Sequence, residues 1–62
     1  MHSLEQEIEN IDNEYRQGNL SQEERNHLLS EIRDIRAAEE CAGDEVMFRH
    51  IVSTCNILIS MA

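Results

Sequence analysis

Residues 18–24 read Gly18-Asn19-Leu20-Ser21-Gln22-Glu23-Glu24. They hold a helix stop followed directly by a helix start. Gly18 takes the left-handed backbone that closes a helix without a Cβ clash. Ser21 is a residue type that accepts the free N–H groups of a new helix. Glu24 stands where a carboxylate returns a hydrogen bond to that cap. Glu23 and Glu24 also lie at the positive end of the helix dipole. Only Gly18-Asn19-Leu20 joins the two helices, and so short a connection turns them into an antiparallel hairpin, stripe against stripe.

The stripes lie on either side of this turn. Toward the N-terminus, Leu4, Ile8, Ile11 and Tyr15 recur at steps of 4, 3 and 4, the signature of one helix face. The spacing predicts a first helix over about residues 3–17, with Ser3 as its N-cap and Gln6 completing a capping box. Toward the C-terminus, Leu28, Leu29, Ile32 and Ile35 follow at helical spacing, and Ala37, Ala38 and Ala42 keep helix propensity high. This predicts a second helix over about 21–42. Leu4, Ile8, Ile11, Leu28, Ile32 and Ile35 are expected to hold the hairpin.

Gly43 and Asp44 repeat the stop-and-cap signal, which predicts a third helix over about 45–60. Met47, Ile51, Cys55 and Leu58 form one stripe there, widened by Phe48, Val52 and Ile59. The β-branched content of 51–60 also permits a strand, but the chain offers it no partner strand. The expected fold is therefore all-α, one small helical domain over residues 1–62: a helical hairpin plus a third, apolar helix.

Charge divides the chain in two. The net charge is −8, and all 13 acids precede residue 46, together with Arg16, Arg25, Arg33 and Arg36. The remaining 17 residues carry one formal charge, Arg49. A two-helix hairpin covers only one face of an apolar third helix, and a monomer would expose the other. Phe48, Ile51, Val52, Cys55, Leu58 and Ile59 are the expected oligomer interface, with a two-fold dimer favoured. Burying four such side chains is worth roughly 6–12 kcal/mol before entropy, at about 1.5–3 kcal/mol each. That rivals the whole stability of a small domain. Ile51→Glu or Leu58→Glu is expected to break the assembly. The competing expectation is a compact three-helix monomer.

Chemistry-bearing patterns are few. A chain of 62 residues scarcely fills one core and has little left to wall off a substrate cavity, so no catalytic role is expected. There is no glycine-rich phosphate loop and no nucleophile elbow. Cys41, His50 and Cys55 are spaced C-x8-H-x4-C, without the close pair of a zinc site. No metal or cofactor is expected, and both cysteines are expected to be free and buried. His50 reads as the polar edge of the apolar stripe and His27 as solvent-facing. The N-terminus lacks a basic region followed by an apolar run, and the tail is short for a membrane span; a cytoplasmic protein is expected.

The carboxylates Glu5, Glu9 and Asp12 on the first helix, and Glu24, Glu31 and Asp34 on the second, fall on polar faces. Arg16 is expected to offset Glu9, and Arg36 to offset Glu40. These acids read either as a solvated face or as a docking surface for an unidentified, basic protein partner. Direct nucleic-acid binding is disfavoured, since there is no lysine and the last helix offers only Arg49 and His50.

Residues 8–29 carry Ile8, Ile11, Tyr15, Gly18, Leu20-Ser21, Glu23-Glu24 and Leu28-Leu29. This third of the chain resembles the short C-terminal domain hairpin of bacterial proteins. The resemblance implies an oligomerisation or interaction module. It departs from that pattern in three ways: Arg25 replaces the aromatic, the lysines before the final leucines are absent, and a long helix follows. Small size and acidity are also similar to accessory proteins of temperate bacteriophages and plasmids. The expected function is a small non-enzymatic interaction or regulatory protein that self-associates through its last helix. The alternatives are an acidic inhibitor of a nucleic-acid-binding protein, a membrane-associated tail protein, and a helix-turn-helix regulator.

Overall fold

The computed structural model describes residues 3–61. Among them the chain forms three helical stretches and no strand. We label them α1 (Ser3–Arg16), α2 (residues 22–40) and α3 (Glu45–Ser60).

The α1–α2 turn follows its sequence signals. Gly18 has φ +83°. The Asn19 N–H donates to the Glu14 carbonyl at 2.9 Å and the Gly18 N–H to Tyr15 at 3.0 Å, the paired bonds of a glycine-terminated helix. The Ser21 hydroxyl accepts the Glu24 N–H at 3.1 Å, and the Glu24 carboxylate accepts the Ser21 N–H at 3.0 Å. The expected box at the start of α1 is not formed. Ser3 is itself the first helical residue, so the cap position lies outside the described residues. Its hydroxyl donates across to Glu40 at 3.3 Å, while the Gln6 amide donates along the helix to Asn10.

Helix α2 is α-helical over Gln22–Glu31, passes through a π-helical turn at Ile32–Arg36, and resumes as α-helix over Ala37–Glu40. In the π turn the Ala37 N–H reaches back to the Ile32 carbonyl, five residues away. One extra residue enters the turn, and everything after it is rotated. The buried positions of this segment are Arg25, Leu29, Ile32, Ala37 and Cys41, with the long step falling across the π turn. A regular helix would continue the stripe through Ile35 or Arg36. Instead Ala37 and Cys41 reach the core, and Ile35 is 56% exposed. Of the residues expected to hold the hairpin, Leu4, Ile8 and Ile32 are buried, Ile11 and Leu28 are half-buried, and Ile35 is not a core residue.

Gly43, at φ +84°, ends this segment; Cys41 already leaves helical geometry, so the helix stops two residues short of the expected end. Asp44 accepts the Met47 N–H at 3.0 Å and opens α3. Residues 51–60 are helical throughout. Short apolar runs are ambiguous by pattern alone, and here two helices, not a second strand, supply the packing surface.

The core gathers Leu4 and Ile8 from α1, Leu29, Ile32, Ala37 and Cys41 from the second segment, and Ile51 and Cys55 from α3. Ile11, Met47, Val52, Leu58 and Ile59 pack around it. The molecule measures 36 × 21 × 15 Å. The core is small, eight buried residues drawn from the three helical segments. Between α1 and α2 the polar contacts are Ser3–Glu40, Glu7–Arg36 and Tyr15–Arg25, so residue numbers rise along one helix as they fall along the other. Arg33 of α2 donates to Asn56 of α3 at 2.9 Å.

A core this small makes single truncations costly. Ile51 is fully buried, so Ile51→Ala is expected to lose about 2–4 kcal/mol, whereas Val46→Ala on the open side should stay within about 0.5 kcal/mol. Urea titrations followed by circular dichroism measure both; equal losses would overturn this placement of α3.

Candidate functional site

The expected interface residues separate into two groups. Ile51 and Cys55 have no accessible surface; the chain's own core uses them, so neither is available to a second copy. Val52, Leu58 and Ile59 are half-buried against that core, and Phe48 is 37% exposed. The apolar surface left open on α3 is elsewhere: Val46 is 82%, Ile57 58% and Met61 65% exposed. At 3.6 residues per turn these three fall within an arc of about 60° on the side away from Cys55. His50, Ser53 and Thr54 lie along or beside the same arc, and none of them carries a fixed charge. The signal was present in the spacing of residues 46, 57 and 61, but the denser stripe through Met47, Ile51, Cys55 and Leu58 obscured it.

The expected acidic residues also divide. Glu5, Glu9 and Asp12 share one edge of an open groove of about 250 Å³ between α1 and α3. Ile8 of α1 and His50, Ile51, Thr54 and Leu58 of α3 complete its lining. His50 approaches Glu5 at 3.9 Å, close enough to pair when the imidazole is protonated. Glu24, Glu31 and Asp34 lie apart from this groove along α2. Each serves locally: Glu24 in the capping box, Glu31 beside His27 at 2.7 Å, Asp34 against Arg33 at 2.7 Å. The Ser21 backbone N–H, and then its hydroxyl, hold the Glu24 carboxyl below its usual range. The Arg33 guanidinium does the same to Asp34.

All five arginines lie among the described residues, and each is engaged within the chain. Arg36 forks between Glu7 on α1 and Glu40 on its own helix, which pushes the guanidinium further above its ordinary value. Arg16 pairs with Asp12 at 2.9 Å, one turn away, not with the expected Glu9 two turns away. Arg49 pairs with Glu45 at 2.6 Å. Arg25 is buried (3% exposed) and lies 4.4 Å above the Tyr15 ring, with Asn26 accepting from its guanidinium. Composition and periodicity do not mark Arg25 for burial. Its place where the resembled hairpin carries an aromatic was the available clue, since a guanidinium stacks flat on an aromatic ring.

Cys41 and Cys55 are buried and not joined in a disulfide, and burial pushes both thiols above the usual cysteine range. That disfavours the thiolate that a nucleophile or metal ligand requires. Among the described residues no group of three or more His, Cys, Asp or Glu is placed to hold a metal ion. No described helix is long and apolar enough to cross a membrane. No family model matches this chain, and no curated protein or solved structure is significantly similar to it.

The capping box has a pH signature. Because the folded Glu24 carboxyl titrates below its unfolded value, its contribution is present at neutral pH and is lost as pH falls through and below about 4. Glu24→Gln keeps the acceptor but not the titration. It is expected to flatten the loss of stability between pH 5 and 3, read as the urea midpoint at each pH; an unchanged slope would remove the box as a source of acid sensitivity. The thiols are expected to resist Ellman's reagent in the folded protein and to react together once it is unfolded in urea; prompt reaction without urea would contradict their burial.

Proposed function

We propose that this chain is a small non-enzymatic interaction protein that pairs with a second copy of itself through the open face of α3. The first two helices act as an antiparallel hairpin, as the resemblance of residues 8–29 to the bacterial hairpin family implies, and they present carboxylates to a protein partner. The observation that carries this reading is the exposure of Val46, Ile57 and Met61 on one face of one helix. Exposed apolar residues aligned along one helix face offer a surface for a partner to cover.

Charge favours a second copy as the occupant. Two chains of net charge −8 repel each other over most of their surfaces. The α3 face is the exception, because Glu45 and Arg49 neutralise each other at its start and no acid follows. Two-fold pairing there brings the least charged parts of the molecules together and keeps the acids outward. The same distribution supports an acidic inhibitor as the second reading, with the carboxylate surface occupying a basic site on another protein. A helix-turn-helix role is poorly supported, since on α3 Arg49 is already paired and His50 faces Glu5.

Because Ile51 is a core residue, Ile51→Glu would unfold the monomer and cannot report on assembly. Val46→Glu combined with Ile57→Glu isolates the open face. Light scattering at two concentrations, with reductant, is expected to give a dimer mass for the native chain. The double variant should give a monomer mass with unchanged helicity. A native chain that stays monomeric at the higher concentration would overturn the self-association.

A further inference from the structure

We infer that the groove between α1 and α3 is a docking site for a cationic amphipathic helix of a partner protein. This inference deepens the partner-binding part of the preceding proposal and is independent of self-association. The groove combines two features that together specify a chemistry. Its apolar lining is the half-buried Leu58, beside the buried Ile8 and Ile51. Its α1 edge carries Glu5, Glu9 and Asp12, at helical steps of 4 and 3. These carboxylates stand about one helical turn apart, a run of about 10 Å. An occupant helix with lysine or arginine at the same i, i+4, i+7 spacing meets all three while its apolar side chains enter over Leu58.

Charge complementarity selects this occupant over an acidic or purely apolar one. The chain supplies little counter-charge of its own. Arg36, Arg33 and Arg49 are committed to other carboxylates, and Arg25 lies buried on Tyr15. Among the described residues, only Arg16, on Asp12, and the imidazole of His50, near Glu5, offset the edge. The Arg16 side chain is 70% exposed, so an incoming cation displaces it into water without unfolding anything. Glu9, between them, forms no ion pair with a described residue and offers its carboxylate directly.

The test uses the full chain and a fluorescein-labelled synthetic peptide of about 18 residues, built from leucine and lysine in helical register. Anisotropy titrations compare the native chain with two double variants that remove equal charge. Glu5→Gln with Glu9→Gln strips the groove; Glu23→Gln with Glu39→Gln strips acids outside it. The groove pair is expected to weaken binding by roughly tenfold or more, and the outside pair by less than about threefold. Thr54→Arg, which places a cation in the groove, is expected to abolish binding, and circular dichroism confirms that each variant is folded. Equal losses from the two pairs would mean that the peptide reads only the overall negative field, and would overturn the inference. So would unaffected binding in all variants, or no binding by the native chain at low salt. The mass measurement of the preceding subsection is a separate readout, so a failed self-association and a failed groove are told apart.

Discussion

The π turn at Ile32–Arg36 is the constraint on which the rest of the structure depends. A helix of 19 residues that kept α-helical register would carry its apolar face steadily around its axis and away from the core. One inserted residue resets that drift. Leu29 and Ile32 face the core before the turn, and Ala37 and Cys41 face it afterward. The same reset aims two guanidinium groups in different directions: Arg36 to Glu7 on α1, and Arg33 to Asn56 on α3. Without it Cys41 would leave the core, and Arg33 and Arg36 would no longer reach opposite neighbours.

The arginines carry the cross-helix polar work in a chain that has no lysine. Arg25, Arg33 and Arg36 each connect α2 with a neighbouring helix, through a ring face, an amide and a carboxylate respectively. A planar, multidentate cation suits such ties better than a lysine ammonium, because one guanidinium satisfies two partners at fixed angles. With these three cations spent on ties between helices, the outward-facing charge is mostly acidic, offset on the surface by Arg16 and Arg49. The chain is thus acidic in composition and more strongly so in the surface it offers to others.

Helix α3 has two apolar sides with different fates. The side through Ile51 and Cys55 closes the core, and the side through Val46, Ile57 and Met61 remains open. The α1–α3 groove lies along the border of the second side. The proposed pairing of two copies and the proposed capture of a basic helix would use neighbouring strips of one helix. Each would use a different force, since the open strip lacks fixed charge and the groove edge is lined with it.

Sequence alone determined the helix boundaries to within a residue or two, because caps and stops are local. Ser21 with Glu24, Gly18, Gly43 and Asp44 act on backbone groups within a few residues of themselves, so their geometry follows from identity and spacing. It also determined that every acid except Asp44 and Glu45 lies on the first two helices and that the third is apolar beyond its first turn. Which apolar residues of α3 are covered was decided only in three dimensions, because the two halves of α2, offset by the π turn, set which arc of α3 meets the core. The burial of Arg25 and the exposure of Ile35 belong to the same class. Neither depends on the residue's own propensity; each depends on which helix face arrives opposite it. The α1–α3 groove was likewise hidden, because Glu9 and Leu58 are 49 positions apart in the chain and meet only after both helices have packed on the second.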